Sequence, residues 1–311
     1  MTRTNMTRIG LSLVAAALAL ATSGAARAGT DLYVSNYYSG TIGEYNATTG
    51  TAINAALVSS GLSNPVGLAL SGGDLFVANA GAETVGEYNA TTGTAINATL
   101  ISGLNAPYGL AVSGGDLFVA NAGAGTIGEY SATTGAAIAT SLISGLNGPF
   151  GLALSGGDLY VTNFGAGTIG EYSATTGTAI ATSLISGLNE PTGLALSGGD
   201  LFVANANAGT IGEYNATTGA AIATSLISGL SSPYGLALSG GDLYVSNFGS
   251  NTIREYNATS GAAVNTSLIS GLNGPVFMAI SNSSSVPEPA SLSLLAAAAL
   301  ALATIRRRAR R

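Results

Sequence analysis

The chain has 311 residues, of which only 8% are charged and 45 are glycine. It contains no cysteine and no histidine, which excludes disulfides, thiol and imidazole chemistry and soft metal sites. The net charge of −6 hides an asymmetry, because residues 29–285 hold fourteen acidic side chains against the single base Arg254. Because this part of the chain is strongly acidic, it repels phosphate backbones, and nucleic acid is not expected as a partner.

The first 28 residues read as a signal peptide. Arg3 and Arg8 precede an apolar run at residues 9–21, and Ala26-Arg27-Ala28 has the small-x-small pattern of a cleavage site. We expect signal peptidase to cut after Ala28, so that the rest of the chain is exported. The alternative, an uncleaved membrane anchor, is disfavoured by the shortness of the run.

Residues 29–281 are built from repeats. Six prolines recur every 42 residues: Pro65, Pro107, Pro149, Pro191, Pro233 and Pro275. Each repeat holds four short β-like runs, which we call strands A to D; in the repeat after Pro107 they read YGLAV, DLFVAN, TIGEY and, at residues 136–143, AAIATSLI. Four strands in a unit of this length predict a propeller blade.

The two ends of the repeat region complement each other. The first unit starts at strand B with Asp31, whereas the region ends at residues 276–280 with a strand A that has no B, C or D. Pairing these two pieces would complete a sixth blade and remove the exposed edges of an open array. We therefore predict an all-β fold, a six-bladed β-propeller closed by a blade shared between the termini. An open β-solenoid is the alternative.

The repeats resemble six-bladed propellers of the NHL and SMP-30/gluconolactonase kind. The resemblance lies in an LxVxN strand B, an IxxY strand C and a TG turn, over residues 31–280. Lactonases of that kind bind a divalent ion in the central channel with Asn, Asp and Glu, so the resemblance implies a metal-dependent hydrolase as an alternative function. Strand A, however, carries no carboxylate to aim at the axis, and we predict no metal, cofactor or catalytic residue.

Three rings of polar residues repeat with the blades, and we predict structural roles for all three. An Asn ends each strand B and is expected to cap the turn that follows it. A Glu lies on each strand C, where a solvated or blade-bridging role is expected, and an Asp follows each Gly-Gly turn as a turn former. The rings are Asn36, Asn79, Asn121, Asn163, Asn205 and Asn247; Glu44, Glu87, Glu129, Glu171, Glu213 and Glu255; and Asp74, Asp116, Asp158, Asp200 and Asp242.

The two faces of the predicted disc differ. The A–B and C–D turns are nearly invariant and share what we call the hairpin face, whereas the B–C and D–A loops share the loop face and vary. The loop face carries the aromatic residues Tyr37, Tyr38, Tyr108, Phe150, Phe164, Tyr234 and Phe248. Aromatic loop residues on a rigid scaffold are typical of a binding face. We predict that they bind exopolysaccharide or a surface protein; the alternative is that the post-proline residues plug the channel.

Residues 282–311 read as a sorting signal. A polar spacer precedes Val286-Pro287-Glu288-Pro289, an apolar stretch at residues 292–305 and an arginine cluster that includes Arg306, Arg307 and Arg308. This order resembles the PEP-CTERM signal. The resemblance implies recognition by an exosortase-like protease, a transient membrane anchor through a short apolar helix, and delivery to the surface or matrix of a Gram-negative bacterium that makes exopolysaccharide. A plain membrane anchor is the alternative.

Overall fold

The structure, a computed structural model, describes residues 30–281. The predicted signal peptide, the sorting signal and the apolar helices expected at both ends lie outside these residues. Within them the chain forms 24 β-strands, and no helix in this range is long and apolar enough to span a membrane.

The strands form six antiparallel sheets of four, as the repeats predict. Blade 1 consists of β24 (Pro275–Ser281), β1 (Asp31–Asn36), β2 (Thr41–Asn46) and β3 (Ala52–Val58). Blades 2 and 3 consist of β4 (Pro65–Ser71), β5 (Asp74–Asn79), β6 (Thr84–Asn89), β7 (Ala95–Ile101), β8 (Pro107–Ser113), β9 (Asp116–Asn121), β10 (Thr126–Ser131) and β11 (Ala137–Ile143). Blades 4 to 6 consist of β12 (Pro149–Ser155), β13 (Asp158–Asn163), β14 (Thr168–Ser173), β15 (Ala179–Ile185), β16 (Pro191–Ser197), β17 (Asp200–Asn205), β18 (Thr210–Asn215), β19 (Ala221–Ile227), β20 (Pro233–Ser239), β21 (Asp242–Asn247), β22 (Thr252–Asn257) and β23 (Ala263–Ile269).

The blade shared between the termini is confirmed. Strand β24 pairs with β1 in antiparallel register, with Asp31 opposite Ser281 and Val34 opposite Met278. The backbone N–H of Asp31 also donates to the Ser281 hydroxyl at 3.1 Å. The predicted ring closure therefore rests on a full strand pairing.

The hydrophobic core lies between the blades. On strand β9, Leu117 and Val119 point to one face and Phe118 and Ala120 to the other, and all four are buried. A strand alternates its side chains between two faces, so such a strand needs a neighbour on each side. Leu117 and Val119 pack in a cluster with blade 2, and Phe118 and Ala120 in a cluster with blade 4.

Turn chemistry sets the hairpins. In the A–B turn of blade 3, Gly114 and Gly115 have φ of 61° and 94°. Two successive residues with positive φ form the tight turn that suits a twisted hairpin, and glycine adopts this conformation without strain. The repeated Ser-Gly-Gly-Asp sequence thus fixes the inner hairpin of five blades.

The outer strand of each blade is an exposed edge without charged residues. Strand β11 pairs with β10 irregularly, with register shifts on both sides of Glu129. Bulges of this kind interrupt the row of free backbone groups that would otherwise template pairing with another chain. The edge is therefore protected by its geometry rather than by charge.

Two structural expectations need correction. The strand C glutamates are not solvated: they are only 7–8% exposed, because strand D and the next blade cover them. Nor do most of the strand B asparagines cap the turn that follows them, although in blade 4 Asn163 Nδ2 donates across that turn to Thr168 Oγ1 at 3.4 Å. In four blades the Asn Oδ1 instead accepts a backbone N–H from the incoming D–A loop, as Asn79 does from Ser63 at 3.3 Å and Asn247 does from Ser231 at 3.2 Å.

Candidate binding site on the loop face

Backbone hydrogen bonds assemble the loop face. In blade 3, Ala122 N donates to Ala106 O at 3.0 Å and Gly123 N donates to Asn105 O at 3.1 Å, which joins the B–C loop to the D–A loop. On the opposite side Ala132 N donates to Gly115 O at 2.8 Å, joining the C–D and A–B turns. The predicted division into a loop face and a hairpin face is confirmed.

The start of strand A brings the post-proline side chains together around the axis. Pro107 pairs with Asn121, but regular pairing resumes only at Leu110, so Tyr108 and Gly109 form a bulge. A Cβ on Gly109 would overlap the carbonyl oxygen of Phe150 in the next blade. Glycine at this position therefore lets neighbouring inner strands approach closely.

A single pocket unites most of the predicted binding residues. It encloses about 330 Å³ at the centre of the loop face, near the lower end of the size range of ligand pockets. Its lining consists of Tyr37, Tyr38, Val66, Tyr108, Phe150, Tyr234, Phe248 and Val276. We call it the aromatic pocket. Six of the seven predicted residues line it; the seventh, Phe164, is not part of the lining and lies 5.9 Å from Phe150, between ring centroids.

The aromatic rings form one connected network. Tyr38 contacts Phe248 at 5.4 Å between ring centroids, Phe248 contacts Tyr234 at 5.0 Å, and Tyr234 contacts Phe150 at 5.7 Å. Phe150 also contacts Tyr108 at 4.7 Å. Most of these pairs are tilted or edge-on, the geometries that the ring quadrupole favours, so the rings hold one another in place.

The sequence prediction missed Phe277. This residue stands where strand A of the other five blades has glycine, and it stacks on Phe150 at 5.7 Å with an interplanar angle of 25°. Phe277 belongs to blade 1 and Phe150 to blade 4, so the pair joins opposite sides of the ring. The change from GLAL to FMAI in the last strand A was the signal that could have identified it.

The predicted aromatic residues differ in exposure. Only Tyr38 is strongly exposed, at 64%, whereas Phe150 is buried at 8% and the other five predicted residues are half-buried. The partial burial is what packing of the post-proline residues at the channel mouth requires, and the exposure of Tyr38 is what a binding face requires. Phe150 and Phe277 pack across the axis, while Tyr37, Tyr38 and Phe248 form an accessible rim.

The chemistry of the pocket is neutral. None of the described residues that line it carries a charge. Burial raises the pKa of the Tyr108 and Tyr234 hydroxyls above the ordinary value of 10.0, and for Tyr234 the charge of Glu190 raises it further. Both hydroxyls therefore stay protonated at neutral pH and remain available as hydrogen-bond donors.

The closing seam of the ring supports the rim. Tyr37 N donates to Gly274 O at 2.9 Å and Tyr38 N donates to Asn273 O at 3.2 Å. Gly274 N in turn donates to the side chain of Asn251 at 2.8 Å. The N-terminal strand pair, the last D–A loop and blade 6 thus meet beneath the pocket.

The asparagine ring of strand B is not uniform. The Oδ1 atoms of Asn36, Asn79, Asn205 and Asn247 accept backbone hydrogen bonds, whereas those of Asn121 and Asn163 are buried without a partner among the described residues. The Phe150–Phe277 pair crosses the axis. Among the residues that the structure describes, no group of three or more Asp, Glu, His or Cys side chains gathers.

Comparison with known families assigns the repeats. Residues 38–267 match the family described as outer membrane protein assembly factor BamB. The chain belongs to the BamB family. The predicted six-bladed propeller is confirmed, but the family that matches is BamB rather than the NHL or SMP-30/gluconolactonase kind. None of the curated proteins compared matches this BamB-family chain.

Solved structures agree on the fold. The chain is similar to a propeller in a nidogen/laminin complex with a TM-score of 0.71 and 18% identity, covering 81% of this chain and 98% of that one. It is also similar to virginiamycin B lyase from Staphylococcus aureus, with a TM-score of 0.57 and 19% identity over 74% of this chain and 78% of that one. A streptogramin B lyase has a TM-score of 0.58 and 19% identity, over 79% of this chain and 76% of that one. At such identities the likeness shows the fold alone.

Proposed function

We propose that this BamB-family propeller is an exported, non-enzymatic binding protein that holds an apolar group of a partner protein in the aromatic pocket. The observation that carries the proposal is the pocket itself, a central, uncharged cavity lined by tyrosine, phenylalanine and valine on rigid loops. Buried aromatic anchors of this kind dominate the energetics of protein interfaces. The family description names an assembly factor, which also favours a protein partner.

A sugar ring of exopolysaccharide is the second candidate ligand. Four of the eight lining residues are tyrosines, whose hydroxyls could hydrogen-bond a sugar while the ring faces stack on it. The C-terminal resemblance to a sorting signal of exopolysaccharide producers supports this candidate.

Binding is tested with the purified chain on matrix isolated from the producing cells. Tyr38→Ala and Phe248→Ala should each weaken binding about tenfold or more, because truncating an aromatic anchor typically costs about 2 kcal/mol. Folding should survive: Tyr38 is exposed, and three other blades carry alanine where Phe248 stands. Thr133→Ala on the hairpin face is the control.

The two ligand classes are separated by pretreating the matrix. Protease should abolish binding to a protein, and periodate, which cleaves sugar diols, should abolish binding to a glycan. If both folded variants bind as tightly as the unchanged chain, the aromatic pocket is not the binding site.

Export is tested by mass spectrometry of the protein recovered from its host. We expect a form that begins near Gly29 and lacks the arginine tail. A surface-located form that retains Arg306, Arg307 and Arg308 would contradict processing by an exosortase-like protease, and a chain that still starts at Met1 would contradict the signal peptide.

A further inference from the structure

A cavity on the hairpin face brings two carboxylates together at the boundary between blades 3 and 4. Asp116, the first residue of β9, and Glu129 in β10 both line this cavity of about 330 Å³. The opposite wall is the hairpin of blade 4, with Ser155, Gly156 and Gly157. Carboxylates, hydroxyls and backbone carbonyls are the ligand types that hard cations prefer.

Glu129 lacks a partner inside this cavity. It is 8% exposed, and its carboxylate accepts no hydrogen bond from the residues that the structure describes. Burial and, second, the charge of Asp116 raise its pKa. A buried carboxylate is unfavourable unless it is hydrogen-bonded, paired with a positive charge or protonated.

The molecule contains its own comparison. In blades 4 and 6 a tyrosine on strand B lies opposite the glutamate, and Tyr160 Oη donates to Glu171 Oε1 at 3.0 Å while Tyr244 Oη donates to Glu255 Oε1 at 3.4 Å. In blade 3 the facing residue is Phe118, which has no hydroxyl. Blades 2 and 5 have the same combination, Phe76 with Glu87 and Phe202 with Glu213. Three blades thus lack the donor that the tyrosine blades supply.

We propose that Asp116 and Glu129 bind a hydrated divalent cation, Ca²⁺ or Mg²⁺, between blades 3 and 4. Two carboxylates neutralise the ion, and water completes its coordination, as is usual for Mg²⁺ and for weak Ca²⁺ sites with dissociation constants of about 10⁻⁴–10⁻³ M. The excess negative charge of residues 29–285 adds a long-range attraction.

The test is equilibrium dialysis of the full chain, stripped with EDTA and returned to CaCl₂ or MgCl₂, with bound metal measured by atomic absorption. Glu129→Gln removes a ligand, and Phe118→Tyr introduces the hydroxyl that blade 4 already accommodates. Each should lose one equivalent of bound ion relative to the unchanged chain. Glu171→Gln, in a tyrosine blade, is the matched control and should bind as many ions as the unchanged chain. Adding the metal should also raise the melting temperature of the unchanged chain and of Glu171→Gln more than that of Glu129→Gln and Phe118→Tyr.

The outcomes are decisive in either direction. The proposal is overturned if the chain shows no saturable binding of either ion up to about 5 mM, which is several times the weakest dissociation constant expected for such sites, about 10⁻³ M. It is overturned equally if folded Phe118→Tyr and Glu129→Gln keep the full number of ions, or if Glu171→Gln loses as many as Glu129→Gln, which would indicate diffuse attraction to an acidic surface.

Discussion

The buried glutamates of strand C couple folding to protonation. Burial is the main cause that raises the pKa of Glu87, Glu129 and Glu213 above the ordinary value of 4.5, and the charge of the neighbouring Asp is the second. The folded chain therefore holds these protons more tightly than the unfolded chain does. The resulting stabilisation is complete below about pH 4.5 and is lost as the pH rises through the raised values.

This coupling predicts a pH-dependent melting temperature. In EDTA, the chain should melt at a higher temperature at pH 5 than at pH 7.5, and the triple variant Glu87→Gln, Glu129→Gln, Glu213→Gln should show a smaller difference. Calorimetry at the two pH values measures both. A melting temperature of the unchanged chain that rises with pH across this range would contradict the assignment.

At the scale of the element, the C–D turn of each blade docks on the outer strand of the preceding blade. Gly135 ends the turn of blade 3 with φ of 70°, and a Cβ on it would overlap the carbonyl oxygen of Leu100 in β7. Gly145, in the following D–A loop, has φ of 75°, and a Cβ added to it would meet no atom within 4 Å. The two glycines share a backbone conformation that strains other residues, but only at Gly135 would an added Cβ meet the neighbouring blade.

This difference predicts unequal costs for two alanine substitutions. Gly145→Ala should cost only the backbone strain, about 1–3 kcal/mol. Gly135→Ala should cost more than that, because β7 must also move. Urea unfolding of both variants measures the two free energies. Equal losses would show that the turn of blade 3 does not depend on its fit against blade 2.

The strands could be predicted from sequence because each is bounded by glycine, proline or asparagine turns at a fixed spacing. The burial of Glu129 could not, because it depends on how strand D and the next blade cover strand C. The role of Phe277 could not be predicted for a similar reason. The other blades have glycine at this position because a Cβ there would overlap a carbonyl oxygen of the adjacent blade, and that contact is visible only in the structure. The seven aromatic residues were found because the loops vary, but their mutual burial is a property of the closed ring.

At the scale of the whole molecule, stability depends on the last strand. Met278 of β24 is 6% exposed and packs in a cluster with Leu32 and Val34 of β1. Val276 is also buried, at 3% exposure. Burying a side chain of this size contributes about 1.5–3 kcal/mol, and two such losses approach the whole stability of a marginal domain.

Two truncations test this dependence. A chain that ends at Asn273 lacks β24 and should melt at a much lower temperature, or without a cooperative transition. A chain that ends at Ser281 keeps β24, also lacks residues 282–311, and should melt as the full chain does. Identical melting of the two truncated chains would show that the ring does not need its shared blade.

The pairing of Asp31 with Ser281 also places the start of the first strand and the end of the last strand of the ring on the same face of the disc. These two residues stand where the other five blades have an inner hairpin, so the chain enters and leaves the ring side by side on the hairpin face. The aromatic pocket opens on the opposite face. An attachment made at Ser281 and a partner bound in the aromatic pocket would therefore occupy opposite faces of the disc. Surface display and immobilisation through the C-terminal side should therefore leave the pocket free to meet a partner.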